Sequence, residues 1–318
     1  MGAAFDAGGG PHRRIAVENA RDRFTLELFD RLWNEYRRRV SYVRMYEQMI
    51  RLHGATFVND HIAFRTIATQ SPGSGIHSLS RVFEALGYRA AGAYCFDDKQ
   101  LSALHFQHEH PQFPKLFLSE LKTWELAEEP RRILTSALAT HRPGLDDEFL
   151  AQLYRIDDQT RVEPLLEELV RWFVELPWSP PEKSAVAILN QTTQYGAWVL
   201  VHGYNVNHFT SLINSHGVES LDSIEKTSAA MAEAGVPMKS SIEGAPGTPL
   251  RQTATEAVIV EVPVLEQGAP TTMPWSYAYF ELAQRDWQTD PATGNRTRFE
   301  GFLGPQATQL FEMTRRAT

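Results

Sequence analysis

Three residues in this sequence have the side chains and the settings to hold one divalent metal. They are His61 in Val58-Asn59-Asp60-His61-Ile62-Ala63-Phe64-Arg65, His208 in Gly203-Tyr204-Asn205-Val206-Asn207-His208-Phe209-Thr210, and Glu281 in Tyr277-Ala278-Tyr279-Phe280-Glu281. Two imidazoles and a carboxylate on one side of a metal leave coordination positions open, the arrangement with which non-haem ferrous oxygenases take up a 2-oxo acid and dioxygen together. Zinc accepts the same ligands. With a single cysteine, Cys95, the chain can form neither an internal disulfide nor a multi-thiolate zinc site, so a metal must rest on imidazole and carboxylate.

Each candidate has a bland alternative. Exposed strands often carry a solvated glutamate, but a strand over 275–283 would put Glu281 on one face with Tyr277 and Tyr279, and a charge among tyrosines is costly unless paired or metal-bound. His208 competes with His202: the two would share a face of one unbroken strand, although Gly203 invites a bend and His208 lies deeper in the second apolar run. A satisfied core histidine is the alternative for both. Arg65 stands four residues after His61 and so on the same face of a strand, with Cα atoms about 13 Å apart, a gap that a long arginine partly closes. A metal ligand and a guanidinium facing one bound molecule imply a carboxylate-bearing substrate. The loop 243–253 ends in Arg251, Gln252 and Thr253; Arg251 and Gln252 are candidate substrate contacts, with an exposed turn as the alternative. His105 is held in reserve, while His108 and His110 fall near Pro111 and Pro114, where solvated turn histidines are common.

The elements that must position these groups follow from hydrophobic periodicity. Residues 21–54 read as two amphipathic helices ending at Gly54, after a flexible start over 1–20. A strand over 55–67, a turn at 71–75, a helix over 76–86 and strands at 91–96, 101–107 and 115–121 give a βαβββ order within 55–122. Residues 123–186 read as a helical insertion. The first pattern then returns over 187–290, with a strand near 197–213, a helix near 220–234 and strands at 256–262 and 275–283, followed by a C-terminal segment over 291–318. Two such modules, each opening with a candidate histidine, predict an α+β chain whose curved sheets pair into a half-open β-barrel around a cavity.

Composition narrows the partners. The 318 residues, 42% of them hydrophobic, suffice for one compact catalytic domain, and a net charge of −8 without a basic run argues against nucleic acid. No apolar stretch reaches membrane-spanning length, so a membrane is not an expected partner either. No phosphate-binding P-loop, nucleophile elbow or metalloprotease helix motif is present.

At His61-x-x-x-Arg65, Gly203-Tyr-Asn-Val-Asn-His208-Phe-Thr and Tyr279-Phe-Glu281-Leu-Ala-Gln-Arg285 the sequence resembles the DUF1338 family, associated with 2-oxoadipate dioxygenase/decarboxylase activity, and most nearly its plastid-targeted plant branch. The resemblance covers nearly the whole chain. It implies a vicinal-oxygen-chelate fold and ferrous iron, Fe(2+), on His61, His208 and Glu281. It further implies Arg65 as the substrate-binding arginine, Gln252 as a substrate contact, and conversion of 2-oxoadipate and O2 to 2-hydroxyglutarate and CO2, a step of lysine breakdown. A plastid location would follow. Two other functions compete: another vicinal-oxygen-chelate metalloenzyme, such as an extradiol dioxygenase or a lyase, and a noncatalytic plastid scaffold using the helical insertion as a partner surface.

Overall fold

Helical spacing after residue 20 folds into α1 (Ala20–Arg39) and α2 (Ser41–His53). The Asn19 side chain caps α1 by accepting from the Asp22 N–H, and Gly54, left-handed at φ 65°, ends α2. The computed structural model describes residues 10–69, 75–142, 144–289, 294–303 and 314; most of the 71–75 turn and much of the expected N- and C-terminal segments lie outside these.

The first module has the expected order: β1 (Asn59–Ala68), α3 (Ile76–Ala85), β2 (Tyr88–Phe96), β3 (Leu101–His108) and β4 (Lys115–Lys122). All ten residues of β1 are buried, because this strand lies inside the sheet with both faces covered. Five helices follow: α4 (Glu128–Leu138), α5 (Asp147–Tyr154), α6 (Val162–Val174), α7 (Lys183–Thr192) and α8 (Gln194–His202). The helical region therefore outruns the expected boundary at 186, which falls within α7.

The strand expected over 197–213 is in fact α8 followed by β5 (Val206–Leu212). Residues 195–202 of α8 are buried all round, and a helix covered on every side has no polar stripe from which its 3.6-residue period can be read. Gly203 makes the break at φ 62°; a Cβ there would lie 2.4 Å from Pro177 Cδ.

The second module continues through α9 (Ile224–Glu233), β6 (Leu250–Ala254), the hairpin β7 (Ile259–Glu266) and β8 (Ala269–Ser276), and β9 (Glu281–Arg285). One curled sheet of seven strands runs β2-β3-β4-β1-β5-β9-β6. β1 is parallel to β4, β5 is parallel to β9, and β1 meets β5 antiparallel, so the modules join at the β1–β5 seam. The repeat is incomplete. Where the first module has β2, the second has, among the described residues, only isolated bridges, Met238 to Thr255 and Glu243 to Gln252, beyond β6, and the β7–β8 hairpin forms a sheet of its own. The strand expected over 275–283 is split accordingly: Ser276 ends β8, and Glu281 opens β9 in the main sheet.

Against one face of the seam packs an aromatic core. Phe209 and Phe280 meet Trp33 and Tyr36 of α1 and Tyr46 of α2, with Trp33 and Phe209 edge-to-face at 5.0 Å and Tyr46 and Phe280 at 4.7 Å. Strand alternation sends His208 and Thr210 to the opposite face.

Candidate metal centre

On that opposite face the seam brings His61, His208 and Glu281 together, their candidate ligand atoms all within 4.8 Å of one another. His61 and His208 come from adjacent central strands, and Glu281, at the start of β9, sits opposite Thr210 of β5. His61 Nε2 lies 3.3 Å from His208 Nε2 and 3.2 Å from Glu281 Oε1, and His208 Nε2 lies 3.6 Å from Glu281 Oε2. Ligands bound at about 2.1 Å to one metal are separated by roughly 3.0–3.5 Å; the two imidazole nitrogens fall within that range, and Glu281 Oε2 lies just beyond it from His208.

The surroundings prepare each ligand. Asp60 Oδ2 lies 2.8 Å from His61 Nδ1, and Asn207 Oδ1 lies 3.0 Å from His208 Nδ1, so each imidazole donates from Nδ1 and turns Nε2 toward the centre. Glu281 Oε1 accepts from Gln252 Nε2 at 2.7 Å and from Thr210 Oγ1 at 3.2 Å. Its Oε2 is buried with no hydrogen-bond partner. A fully buried carboxylate with one saturated and one orphaned oxygen fits a metal ligand, since an unpaired buried charge is otherwise expensive.

Electrostatics follow from burial and neighbours. Burial disfavours a charged His208 and lowers its pKa to about 3, so the ring is neutral and able to ligate. Burial acts the same way on His61, but its hydrogen bonds to Asp60 and Glu281 outweigh it and raise the pKa. Burial pushes the Glu281 carboxyl up, yet the imidazoles of His208 and His61 and the Gln252 amide hold it below its ordinary value. Asp60 is held well down, because the Arg285 guanidinium overrides its burial.

The pocket over the three groups is walled by Phe96, Phe117 and Phe302 and carries Arg65 on its lining. Phe302 stands edge-on to His61 at 4.8 Å and packs against Phe117 at 4.9 Å. Arg65 is 2% exposed, lies over the Tyr195 and Trp198 rings at 5.0 and 5.2 Å, and donates from Nη1 to Thr314 Oγ1 at 3.1 Å. A buried cation beside phenylalanine walls suits a carboxylate.

Other expected site residues are placed differently. Gln252 lines the pocket as expected of a substrate contact, and it also supports Glu281, donating one amide N–H to that carboxylate while its buried Oε1 has no hydrogen-bond partner among the described residues. Arg251, its neighbour on β6, does not line the pocket; strand alternation turns it away, and it pairs with Glu225 Oε1 at 2.5 Å. Of the two tyrosines expected beside Glu281, Tyr279 stacks on His208 at 4.8 Å, whereas Tyr277 faces Trp198 and Arg39 because the chain is not one strand there. His202, the rival to His208, ends α8 in the core, its Nε2 donating to the Ser276 carbonyl at 2.9 Å. His105 contacts Tyr94 and Phe302 and stays outside the cluster. Sequence reasoning missed Asp60, Asn207, Thr210 and Arg285 as supports; the repeated pairing of a side-chain oxygen with the following histidine, Asp60-His61 and Asn207-His208, is the signal that could have found two of them.

Comparison with known proteins supplies the family. The profile of the 2-oxoadipate dioxygenase/decarboxylase family matches residues 30–314. The chloroplastic/amyloplastic 2-oxoadipate dioxygenase/decarboxylase of Oryza sativa subsp. japonica is 26% identical, with 94% of this chain and 81% of that protein covered. The chloroplastic protein of that name from Arabidopsis thaliana is also 26% identical, covering 80% and 67%. Among solved structures, a glyoxalase superfamily protein from Ralstonia eutropha JMP134 superposes with a TM-score of 0.77 at 20% identity over 95% of this chain and 92% of that one. The hydroxyglutarate synthase of Oryza sativa, solved in complex with 2-oxoadipate, gives 0.74 at 24% identity over 98% of both. The half-open barrel is thus shared with glyoxalase-like, vicinal-oxygen-chelate proteins, and by its match from residue 30 to residue 314 this chain belongs to the 2-oxoadipate dioxygenase/decarboxylase family.

Proposed function

We propose that this chain binds ferrous iron on His61, His208 and Glu281 and converts 2-oxoadipate and O2 to 2-hydroxyglutarate and CO2, a step of lysine breakdown. The observation that carries the reading is the meeting of three buried ligand groups with the buried guanidinium of Arg65 in one phenylalanine-walled pocket. The family membership supplies the reaction class.

Iron bound there would supply open coordination positions for the oxo acid and dioxygen and would relay to dioxygen the electrons that the oxo acid gives up as it loses CO2 and is hydroxylated. The chain's own groups do the rest. Asp60 and Asn207 keep a proton on Nδ1 of each histidine and leave Nε2 free. Gln252 and Thr210 hold Glu281 through Oε1. Arg65 pairs with a carboxylate of the dicarboxylic acid and so selects which end reaches the centre. Phe96, Phe117 and Phe302 exclude water from the reacting carbon.

The compartment read from the resemblance is the plastid, and its support is the naming of the rice and Arabidopsis relatives as chloroplastic. An aromatic diol would also fit the phenylalanine walls, but the buried guanidinium of Arg65 favours a dicarboxylic acid. The test is anaerobic loading with ferrous iron, addition of 2-oxoadipate and then oxygen, with oxygen uptake and 2-hydroxyglutarate followed together. One 2-hydroxyglutarate per oxygen is expected; iron-loaded protein that consumes no oxygen with this acid would overturn the reading.

A further inference from the structure

The seam between β1 and β5 is irregular at two related places. Asn59 faces Ser211 while His61 faces Thr210, which leaves Asp60 as an extra residue on β1. Ala63 faces His208 while Phe64 faces Val206, which leaves Asn207 as an extra residue on β5. In a regular strand a residue and its successor point to opposite faces, so neither Asp60 nor Asn207 could reach the histidine that follows it. A bulge suspends that alternation and re-aims a side chain. Both bulged residues use it alike, placing an oxygen 2.8 Å and 3.0 Å from the Nδ1 of the next histidine.

The two differ in what remains. Asp60 has both oxygens engaged by Arg285 as well as by His61. Asn207 is 2% exposed and lines the pocket beside His208, and its Nδ2 is buried with no hydrogen-bond partner among the described residues. Turning the amide over would not resolve this: Nδ2 would then face His208 Nδ1, displacing the imidazole proton to Nε2, the atom aimed at His61 and Glu281. An orphaned buried donor is costly, a penalty relieved when an acceptor enters the pocket.

We propose that Asn207 is a positioning and substrate-contact residue: its Oδ1 fixes the tautomer of His208, and its Nδ2 donates a hydrogen bond to an oxygen of the bound oxo acid. This rests on the oxo-acid reading above and adds to it a second polar contact, on the opposite side of the seam from Arg65. The two duties separate by substitution. Asn207→Asp keeps an acceptor for His208 and loses the donor; Asn207→Ala loses both.

The experiment measures three quantities in the parent and in both variants: ferrous-iron affinity, affinity of the iron-loaded protein for 2-oxoadipate without oxygen, and the His208 tautomer by nitrogen NMR of the metal-free protein. In Asn207→Asp, iron affinity and tautomer should stay close to the parent, while 2-oxoadipate binds about 10-fold or more weakly. In Asn207→Ala, the tautomer becomes mixed and iron affinity falls about 10- to 100-fold. If Asn207→Ala does not fold, Asn207→Leu, close in shape and without a hydrogen-bonding group, is read in its place. Unchanged 2-oxoadipate affinity in Asn207→Asp would remove the donor role, and an unchanged tautomer and iron affinity in the alanine or leucine variant would remove the positioning role. A parent that binds iron but no 2-oxoadipate would instead defeat the functional reading, leaving the tautomer and iron measurements to judge Asn207 alone.

Discussion

Arg285 grips Asp60 across 225 residues of sequence, Nε to Oδ1 at 2.7 Å and Nη2 to Oδ2 at 2.8 Å, and the same Oδ2 lies 2.8 Å from His61 Nδ1. Both side chains of the ion pair are essentially inaccessible to solvent. Arg285 also donates from Nη1 to the carbonyls of Gly301 and Phe299, so one guanidinium ties the C-terminal wall of the pocket to the support of a candidate ligand.

Breaking this pair from one side should therefore affect stability and metal together. Arg285→Met leaves Asp60 buried without its counter-charge and is expected to cost about 3–5 kcal/mol in denaturant unfolding of the metal-free protein. Metal affinity should fall about 10- to 100-fold as His61 loses its fixed orientation. A variant with parental stability and parental metal affinity would show that the ion pair supports neither.

Metal should stabilise the fold measurably, because the three ligand groups are already assembled and Glu281 Oε2 is buried without a partner. At a free concentration of 100 times Kd the gain is about 2.7 kcal/mol, which for a chain of this length corresponds to a rise in Tm of about 4 °C. A chelator should reverse the shift in scanning fluorimetry, and His208→Ala or Glu281→Ala should abolish it. A shift retained in both variants would mean that the metal binds elsewhere.

Arg65 makes a different prediction, since it lies on the pocket wall and outside the ligand set. Arg65→Lys keeps a positive charge but loses the planar fork that pairs with a carboxylate. KM for 2-oxoadipate should rise about 10- to 100-fold with metal affinity unchanged, the signature of lost ground-state binding. An unchanged KM would show that the acid docks without Arg65.

What could be read from sequence divides along physical lines. Alternation along β1 puts His61 and Arg65 on one face because β1 runs in unbroken register along β4 from His61 to Ala68, the bulge beside Ala63 being on β5. The same rule separated Gln252 from Arg251 only once the strand was known; in sequence they are adjacent polar residues at a loop exit. Asp60 and Asn207 were out of reach because bulges cancel the period on which such reasoning depends. Arg285 stands in a motif whose sequence gives it no role, since its partner Asp60 lies 225 residues away. α8 departs from the expected strand for a related reason: a short apolar run buried on all sides is equally a core helix or a core strand.

His202 is the last residue of that buried helix. Its ring lies in the core, 2% exposed, between Trp198 and Tyr277, and burial lowers its pKa to about 3. In the unfolded chain the same group titrates near 6.5. The unfolded state therefore binds a proton that the folded state refuses, so the contribution of His202 to stability is intact above about pH 6.5 and declines as pH falls toward 3. By pH 5 the loss from this residue alone is about 2 kcal/mol. His202→Gln keeps an N–H donor for the Ser276 carbonyl and removes the titration. Urea unfolding of the metal-free proteins at pH 7.0, 6.0 and 5.0 should show the variant losing about 2 kcal/mol less than the parent over this range. Parallel pH dependences would mean that the His202 ring takes up a proton inside the fold.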